Sequence, residues 1–196
     1  MNQHLALIPN LLTGYRFAVI PFLLFCLQPG ASTPIKFTGF LLFVSAAITD
    51  YYDGYLARRW DVHTDFGKLM DPLADKVLVA LAFILLIPLE LVAAEISFLI
   101  LAREFIITGL RGVAATEGIV IAASKLGKWK TTFQLIALSI LMFPPGLLPL
   151  PFLPQLGTAT LYVALLLTLV SGGDYLLKFL KIYGKTHPEK GDRAKS

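Results

Sequence analysis

The stretch that decides the fold reads Asp50-Tyr51-Tyr52-Asp53-Gly54-Tyr55-Leu56-Ala57-Arg58, then eight residues, then Gly67-Lys68-Leu69-Met70-Asp71-Pro72-Leu73-Ala74-Asp75. Asp50, Asp53, Gly54, Ala57 and Arg58 stand at i, i+3, i+4, i+7 and i+8, the spacing that lines residues up on one stripe of a helix. Gly67, Asp71 and Asp75 stand at i, i+4 and i+8, which makes a second stripe. Both are polar or small, and both are set in apolar sequence. Between them, Arg59 to Phe66 contains Trp60, Asp61, His63, Thr64 and Asp65, an interfacial mixture suited to turning the chain back so that the stripes face each other. Pro72 is expected in the first turn of the second helix, where its missing amide has no intrahelical partner to lose; a helix that begins earlier would be expected to kink there.

Outward from this stretch the chain is 196 residues long, 56% hydrophobic and 15% charged, with a mean hydropathy of +0.72. That is far more apolar than a soluble domain requires. Crossing a bilayer takes about 20 mostly apolar residues, and candidate spans lie near 11–28, 37–57, 71–89, 92–110, 131–148 and 157–180. The fold class expected is therefore an all-α membrane protein with six transmembrane helices. A soluble bundle is the alternative, but Val77 to Leu89 and Leu161 to Val170 are apolar on every face.

The cations fix the orientation. With the N-terminus inside, the inner segments hold Arg58, Arg59, Lys68, Arg111, Lys125, Lys128, Lys130 and the tail from Lys178 to Lys195, while Lys36 lies in an outer loop. Both termini are expected in the cytoplasm. Outer connections are short and uncharged, built from Gln28, Pro29 and Gly30 and from the Pro-rich stretch Pro144 to Pro154. The net charge of +4 thus sits on one side, where acidic lipid headgroups or a phosphorylated substrate fit its position better than nucleic acid.

Cys26 is the single cysteine, which excludes an intrachain disulfide and a thiolate cluster, and it reads as a small core residue. No cleavable leader is expected, because no Lys or Arg precedes the first apolar run and Arg16 interrupts it. Residues 1–182 read as one membrane domain and 183–196 as a basic cytoplasmic tail.

Four carboxylates gathered at the edge of a bilayer repel one another and lose hydration, so they must bind protons or cations. A divalent ion answers both problems. An all-oxygen donor set, with no Cys or His in the stripes, favours Mg²⁺ or Mn²⁺ over Zn²⁺. Phosphoryl transfer is the chemistry that most often uses such ions, which clamp a pyrophosphate and neutralise its charge. Gly54 and Ala57 would let a bulky nucleotide lie close, or would simply allow helix contact. Arg58 would grip phosphate oxygens, or would snorkel to water. A cation transporter also uses intramembrane carboxylates, but leaves Gly54, Ala57 and Arg58 beside Asp50 and Asp53 unexplained. A non-catalytic scaffold leaves the four aspartates without purpose.

The segment resembles the signature of the CDP-alcohol phosphotransferase family, Asp-x2-Asp-Gly-x2-Ala-Arg-x8-Gly-x3-Asp-x3-Asp. All eight fixed positions are met over 26 residues. The resemblance implies six membrane helices, a cytoplasm-facing polar cavity, a homodimer, and cleavage of a CDP-linked lipid with release of CMP. It implies Asp50, Asp53, Asp71 and Asp75 around two Mg²⁺ or Mn²⁺ ions, with Asp75 as the general base. Asp50, Gly54, Ala57, Arg58 and Gly67 would line the CDP site.

Three further stretches, Asn10 to Arg16, Ala102 to Arg111 and Ser124 to Thr131, resemble the bacterial phosphatidylglycerophosphate synthase branch of that family. This branch implies CDP-diacylglycerol as donor and sn-glycerol 3-phosphate as acceptor; serine, inositol phosphate or phosphatidylglycerol would be taken by other branches with the same donor site. A phosphorylated acceptor needs cations, and Arg103, Arg111, Lys125 and Lys128 are the candidates, with Lys130 also at hand. Arg103 lies within an apolar span, where it must face a wet cavity or join a structural network with Glu104. His63 reads as a solvated loop residue, and Tyr51, Tyr52, Tyr55 and Trp60 as an interfacial belt. Asp174, in the last span, calls for a polar partner that the sequence does not name.

Overall fold

The computed structural model describes residues 3–60, 65–119, 121 and 125–186, excepting the side chains of 3–10, 50–60, 65–69, 71, 72, 125 and 184–186. The described residues form six α-helices and no strand: α1 (Gln3–Cys26), α2 (Thr33–Trp60), α3 (Asp65–Leu86), α4 (Ala94–Thr116), α5 (Lys125–Met142) and α6 (Leu153–Thr186). Each of the six expected apolar segments is a helix. Among the described residues one helix, over Leu153–Tyr183, is long and apolar enough to cross a membrane by length and composition alone; Leu11–Cys26 and Thr33–Thr49 are shorter apolar runs.

Helix boundaries differ from the expected spans for local reasons. The fifth stops at Met142 and not near residue 148, because Pro145 disfavours helical geometry at Pro144, and Pro144 does the same to Phe143. The sixth starts at Leu153 with Pro154 next, the first-turn position where a proline is favourable. It then continues to Thr186, four residues into the expected tail. The third begins at Asp65, so Pro72 lies beyond the first turn and withholds an amide from the Lys68 carbonyl.

Two turns are closed by the same device. After α3, Glu90 takes a left-handed conformation (φ 58°), its amide bonds the Ile87 carbonyl (2.9 Å), and the Leu91 amide reaches back to the Leu86 carbonyl (3.1 Å). After α4, Gly118 (φ 67°) occupies that position without steric cost, with Ile119 bonded to Ala114 (2.8 Å).

The chain divides into two compact units. Residues 1–94 and 135–158 form the first, and 95–134 and 159–196 the second. In the first, α1 packs against α2 and α3 around Val19, Leu23, Leu27, Phe43, Ala46 and Leu78, all buried. Tyr15 Oη and Ser45 Oγ share a hydrogen bond of 2.6 Å across α1 and α2. Phe143 meets Phe37 and Phe40 edge-on, bringing the end of α5 to the start of α2. A cavity of about 370 Å³ lies at this end, walled by Leu91, Leu141, Phe143 and the prolines of 144–154. Along α2, Phe37 and Asp53 are about 24 Å apart at 1.5 Å per residue, so the cavity is remote from the aspartate stripe.

The same unit shows why Gly39 is glycine. A Cβ there would stand 2.9 Å from the Cβ of Cys26, an atom fixed to the α1 backbone, and 3.2 Å from Leu27 Cδ2. Gly39→Val is expected to destabilise the protein by about 1–3 kcal/mol through overpacking. A thermal melt in detergent reads this directly, and an unchanged Tm would mean that α1 and α2 can part at no cost.

The second unit is built from α4, the first half of α5 and most of α6. Ile107, Ala114, Tyr175 and Phe179 form its core, flanked by Leu110, Ile119, Ile121 and Tyr183. Gln134 and Thr168, both buried, satisfy each other at 3.0 Å.

Candidate active site

The signature falls in register on two successive helices. Backbone helix runs unbroken through 50–58 on α2 and through 67–75 on α3, so Asp50, Asp53, Gly54, Ala57 and Arg58 share one stripe of α2, and Gly67, Asp71 and Asp75 one stripe of α3. The side chains of Asp50, Asp53, Ala57, Arg58 and Asp71 lie outside the described residues, as does His63 altogether. Asp75 is the aspartate of the four whose side chain is described. It is half-buried, on a turn whose Ala74 and Leu78 are fully buried. Among the described side chains no three Asp, Glu, His or Cys converge. The donor set of the stripes is nonetheless of one kind, carboxylate oxygen, which suits a hard divalent ion.

The second unit holds a cluster of charge that the sequence reading resolved only in part. Arg103 on α4 donates from Nη1 to Glu104 Oε1 (3.1 Å) and from Nη2 to Ser171 Oγ on α6 (2.8 Å). Lys130 on α5 donates to the same Glu104 oxygen. The side chains of Arg103 and Lys130 are 11% and 8% exposed, so two cations are held out of water against one carboxylate, leaving a net charge of +1. Arg103 also runs over Gly172, where an added Cβ would lie 2.9 Å from its Cγ and Nε. Its Nε is buried without a hydrogen-bond partner among the described residues. The structural network expected as one alternative for Arg103 is therefore present, and it retains an unused donor.

Of the other candidate cations, Arg111 lies within electrostatic reach of both Arg103 and Lys130. Arg111 is exposed, with its guanidinium 5.2 Å over the Tyr175 ring. Lys128 is exposed, about 200° round α5 from Lys130 at 100° per residue. The side chain of Lys125 lies outside the described residues. The structure thus brings Lys130, not Lys128, to Arg103. Two residues apart on one helix, they had to face opposite ways, but which of them faced inward was not legible. Asp174 finds its partner one turn on: Lys178 Nζ donates to Asp174 Oδ2 at 2.8 Å. That i, i+4 spacing of Asp before Lys was a local signal available in the sequence.

Six helices with two carboxylate stripes on consecutive members define a class of protein. The profile of the CDP-alcohol phosphatidyltransferase family matches residues 6–170, and the chain belongs to this family. Within it, the chain is 42% identical over 185 residues to the CDP-diacylglycerol--glycerol-3-phosphate 3-phosphatidyltransferase of Bacillus subtilis (strain 168), covering 87% of this chain and 94% of that one. A protein of the same name from Rickettsia typhi is 40% identical over 90% of this chain and 98% of its own. Another from Salmonella choleraesuis is 42% identical over 86% and 92%.

Proposed function

We propose that this chain is a membrane phosphotransferase that moves the phosphatidyl group of CDP-diacylglycerol to sn-glycerol 3-phosphate, giving phosphatidylglycerophosphate and CMP in anionic phospholipid synthesis. The observation that carries the proposal is the identity of about two residues in five, over nearly the full length of both chains, to relatives bearing that name. The eight-position signature, in register on α2 and α3, supports the donor half of the reaction.

The reaction joins the acceptor hydroxyl oxygen to the lipid phosphorus and breaks the bond from that phosphorus to the CMP oxygen, in line. Asp75 accepts the hydroxyl proton as the new bond forms. Asp50, Asp53 and Asp71, with Asp75 beside them, would hold two Mg²⁺ or Mn²⁺ ions, which supply neutralisation of the pyrophosphate charge. Gly54, Ala57 and Gly67 leave room for the cytidine diphosphate, and Arg58 pairs with its phosphate. Arg103 and Lys130, with a net positive charge held by one carboxylate, suit the acceptor phosphate; Arg111, Lys125 and Lys128 add cations on the same unit.

The six helices are proposed as six spans, with both termini and the active site cytoplasmic in the bacterial inner membrane and the chain paired as a homodimer. Large apolar side chains are exposed on every helix, among them Phe22, Leu41, Ile84, Phe98, Ile136 and Leu166, which lipid and not water would cover. From Leu153, about 20 residues of α6 cross the hydrocarbon, which brings the Asp174–Lys178 pair to headgroup level.

The test is CMP release by the purified protein with CDP-diacylglycerol and Mg²⁺ or Mn²⁺, offering glycerol 3-phosphate, serine, inositol 1-phosphate or phosphatidylglycerol in turn. Stimulation by glycerol 3-phosphate alone is expected. Stimulation by another alcohol would replace the acceptor, and none by any would remove the enzyme reading. Replacing Arg111 or Lys125 by Ala is expected to raise the acceptor KM about tenfold, the worth of one charge-assisted hydrogen bond. The donor KM should move less, and the opposite order would assign these cations to the nucleotide.

A further inference from the structure

We infer that Glu104 is a positioning residue for the acceptor, acting through the two cations it clasps; this rests on the reading that Arg103 and Lys130 receive the acceptor phosphate. The geometry is unusual in its economy. One oxygen, Oε1, accepts from both Arg103 Nη1 and Lys130 Nζ, which come from different helices, α4 and α5. Without an anion between them, two largely buried cations would repel each other and swing apart. With it, they are held at a fixed spacing before any ligand arrives.

The rest of the cluster shows the same ordering. Arg103 is held on its far side by Ser171 Oγ, and its stem runs close over Gly172, where no side chain intrudes. Long cationic side chains lose considerable rotamer freedom when a ligand orders them. Here Glu104 and Ser171 have ordered Arg103 in advance, and Glu104 has ordered Lys130, so the phosphate meets donors already in place. The charge count points the same way. A second carboxylate would make the cluster neutral and remove its attraction for a phosphate, whereas a single one leaves +1 for an anion. An uncharged acceptor has no use for such an arrangement, so the clasp also favours phosphorylated alcohols over neutral ones.

The test is steady-state kinetics of Glu104→Gln in detergent, measuring donor and acceptor constants separately. Gln keeps the shape and removes the charge. The acceptor KM is expected to rise about tenfold or more, with the donor KM within about twofold and kcat at saturating acceptor within about threefold, as for a change in ground-state organisation at one site. Glu104→Asp keeps the charge and shortens the reach by one methylene, and is expected to raise the acceptor KM about threefold. Should Glu104→Gln yield no folded protein, the Asp variant decides, and an unaltered acceptor KM overturns the inference. Equal losses in both constants with a lowered Tm would also overturn it, showing that Glu104 serves the fold alone. Lys130→Met separates the two layers. If it raises the acceptor KM while the Glu104 variants do not, only the positioning role falls; if none of them does, the assignment of the acceptor phosphate to this cluster falls with it.

Discussion

Asp75→Asn is expected to lower kcat by about a thousandfold, within the span that a positioned general base contributes. The substitution keeps the size and a hydrogen-bonding oxygen, so α3 should hold its place around the buried Ala74 and Leu78. What it removes is a carboxylate able to take a proton from the attacking hydroxyl. Because the base acts in the transition state and not in donor binding, the dissociation constant for CDP-diacylglycerol should change by about threefold at most. Titrating the purified variant with the donor, beside a CMP-release assay, reads both quantities. Full activity would move the base elsewhere, and loss of donor binding in step with kcat would make Asp75 a ligand holder and not a base.

Removing divalent ions with a chelator is expected to abolish CMP release by more than a thousandfold, and Mg²⁺ or Mn²⁺ should restore it where Ca²⁺, larger and less exacting in geometry, does so poorly. The reason lies in the charge of the two stripes. Asp50, Asp53, Asp71 and Asp75 bring four negative charges to two successive helices, and the donor pyrophosphate adds more. With no cation between them these groups repel, so donor binding should weaken together with turnover. A second readout follows by linkage: an ion bound only by the folded chain stabilises it by about 2.7 kcal/mol at a hundred times its dissociation constant, so chelation should lower the Tm. A melting temperature indifferent to Mg²⁺ and Mn²⁺, with activity intact in chelator, would remove the metal from the site.

Several features were legible because they are local. The stripes on α2 and α3 follow from counting 3.6 residues per turn, and they fall where the count puts them because nothing in 50–58 or 67–75 breaks a helix except Pro72. The starts and stops near Pro144, Pro145 and Pro154 obey rules that involve one or two neighbours. Hydropathy alone extends the fifth span to 148, and the prolines end the helix at Met142. The Asp174–Lys178 pair is equally local, an i, i+4 spacing within α6.

Other features could not be read in one dimension. Glu90 in a left-handed turn is an exception that the end of α3 imposes on a residue with no preference for it. Arg103 and Ser171 are 68 residues apart, and nothing along the chain joins them. Lys128 and Lys130 are chemically identical and two positions apart, so composition cannot say which is exposed and which is 8% exposed beside Glu104.

The sequence by itself therefore determined the helices and the register of the four aspartates on two of them, since each depends on periodicity and spacing within a few turns, and the chemistry entered through the resemblance of that spacing to a family signature. Tertiary structure alone decided which cations gather and what holds them. The rotation of α5 that turns Lys130 toward Glu104 is set by the burial of whole helix faces such as that bearing Gln134 against Thr168, and a face finds its neighbour only when distant segments meet.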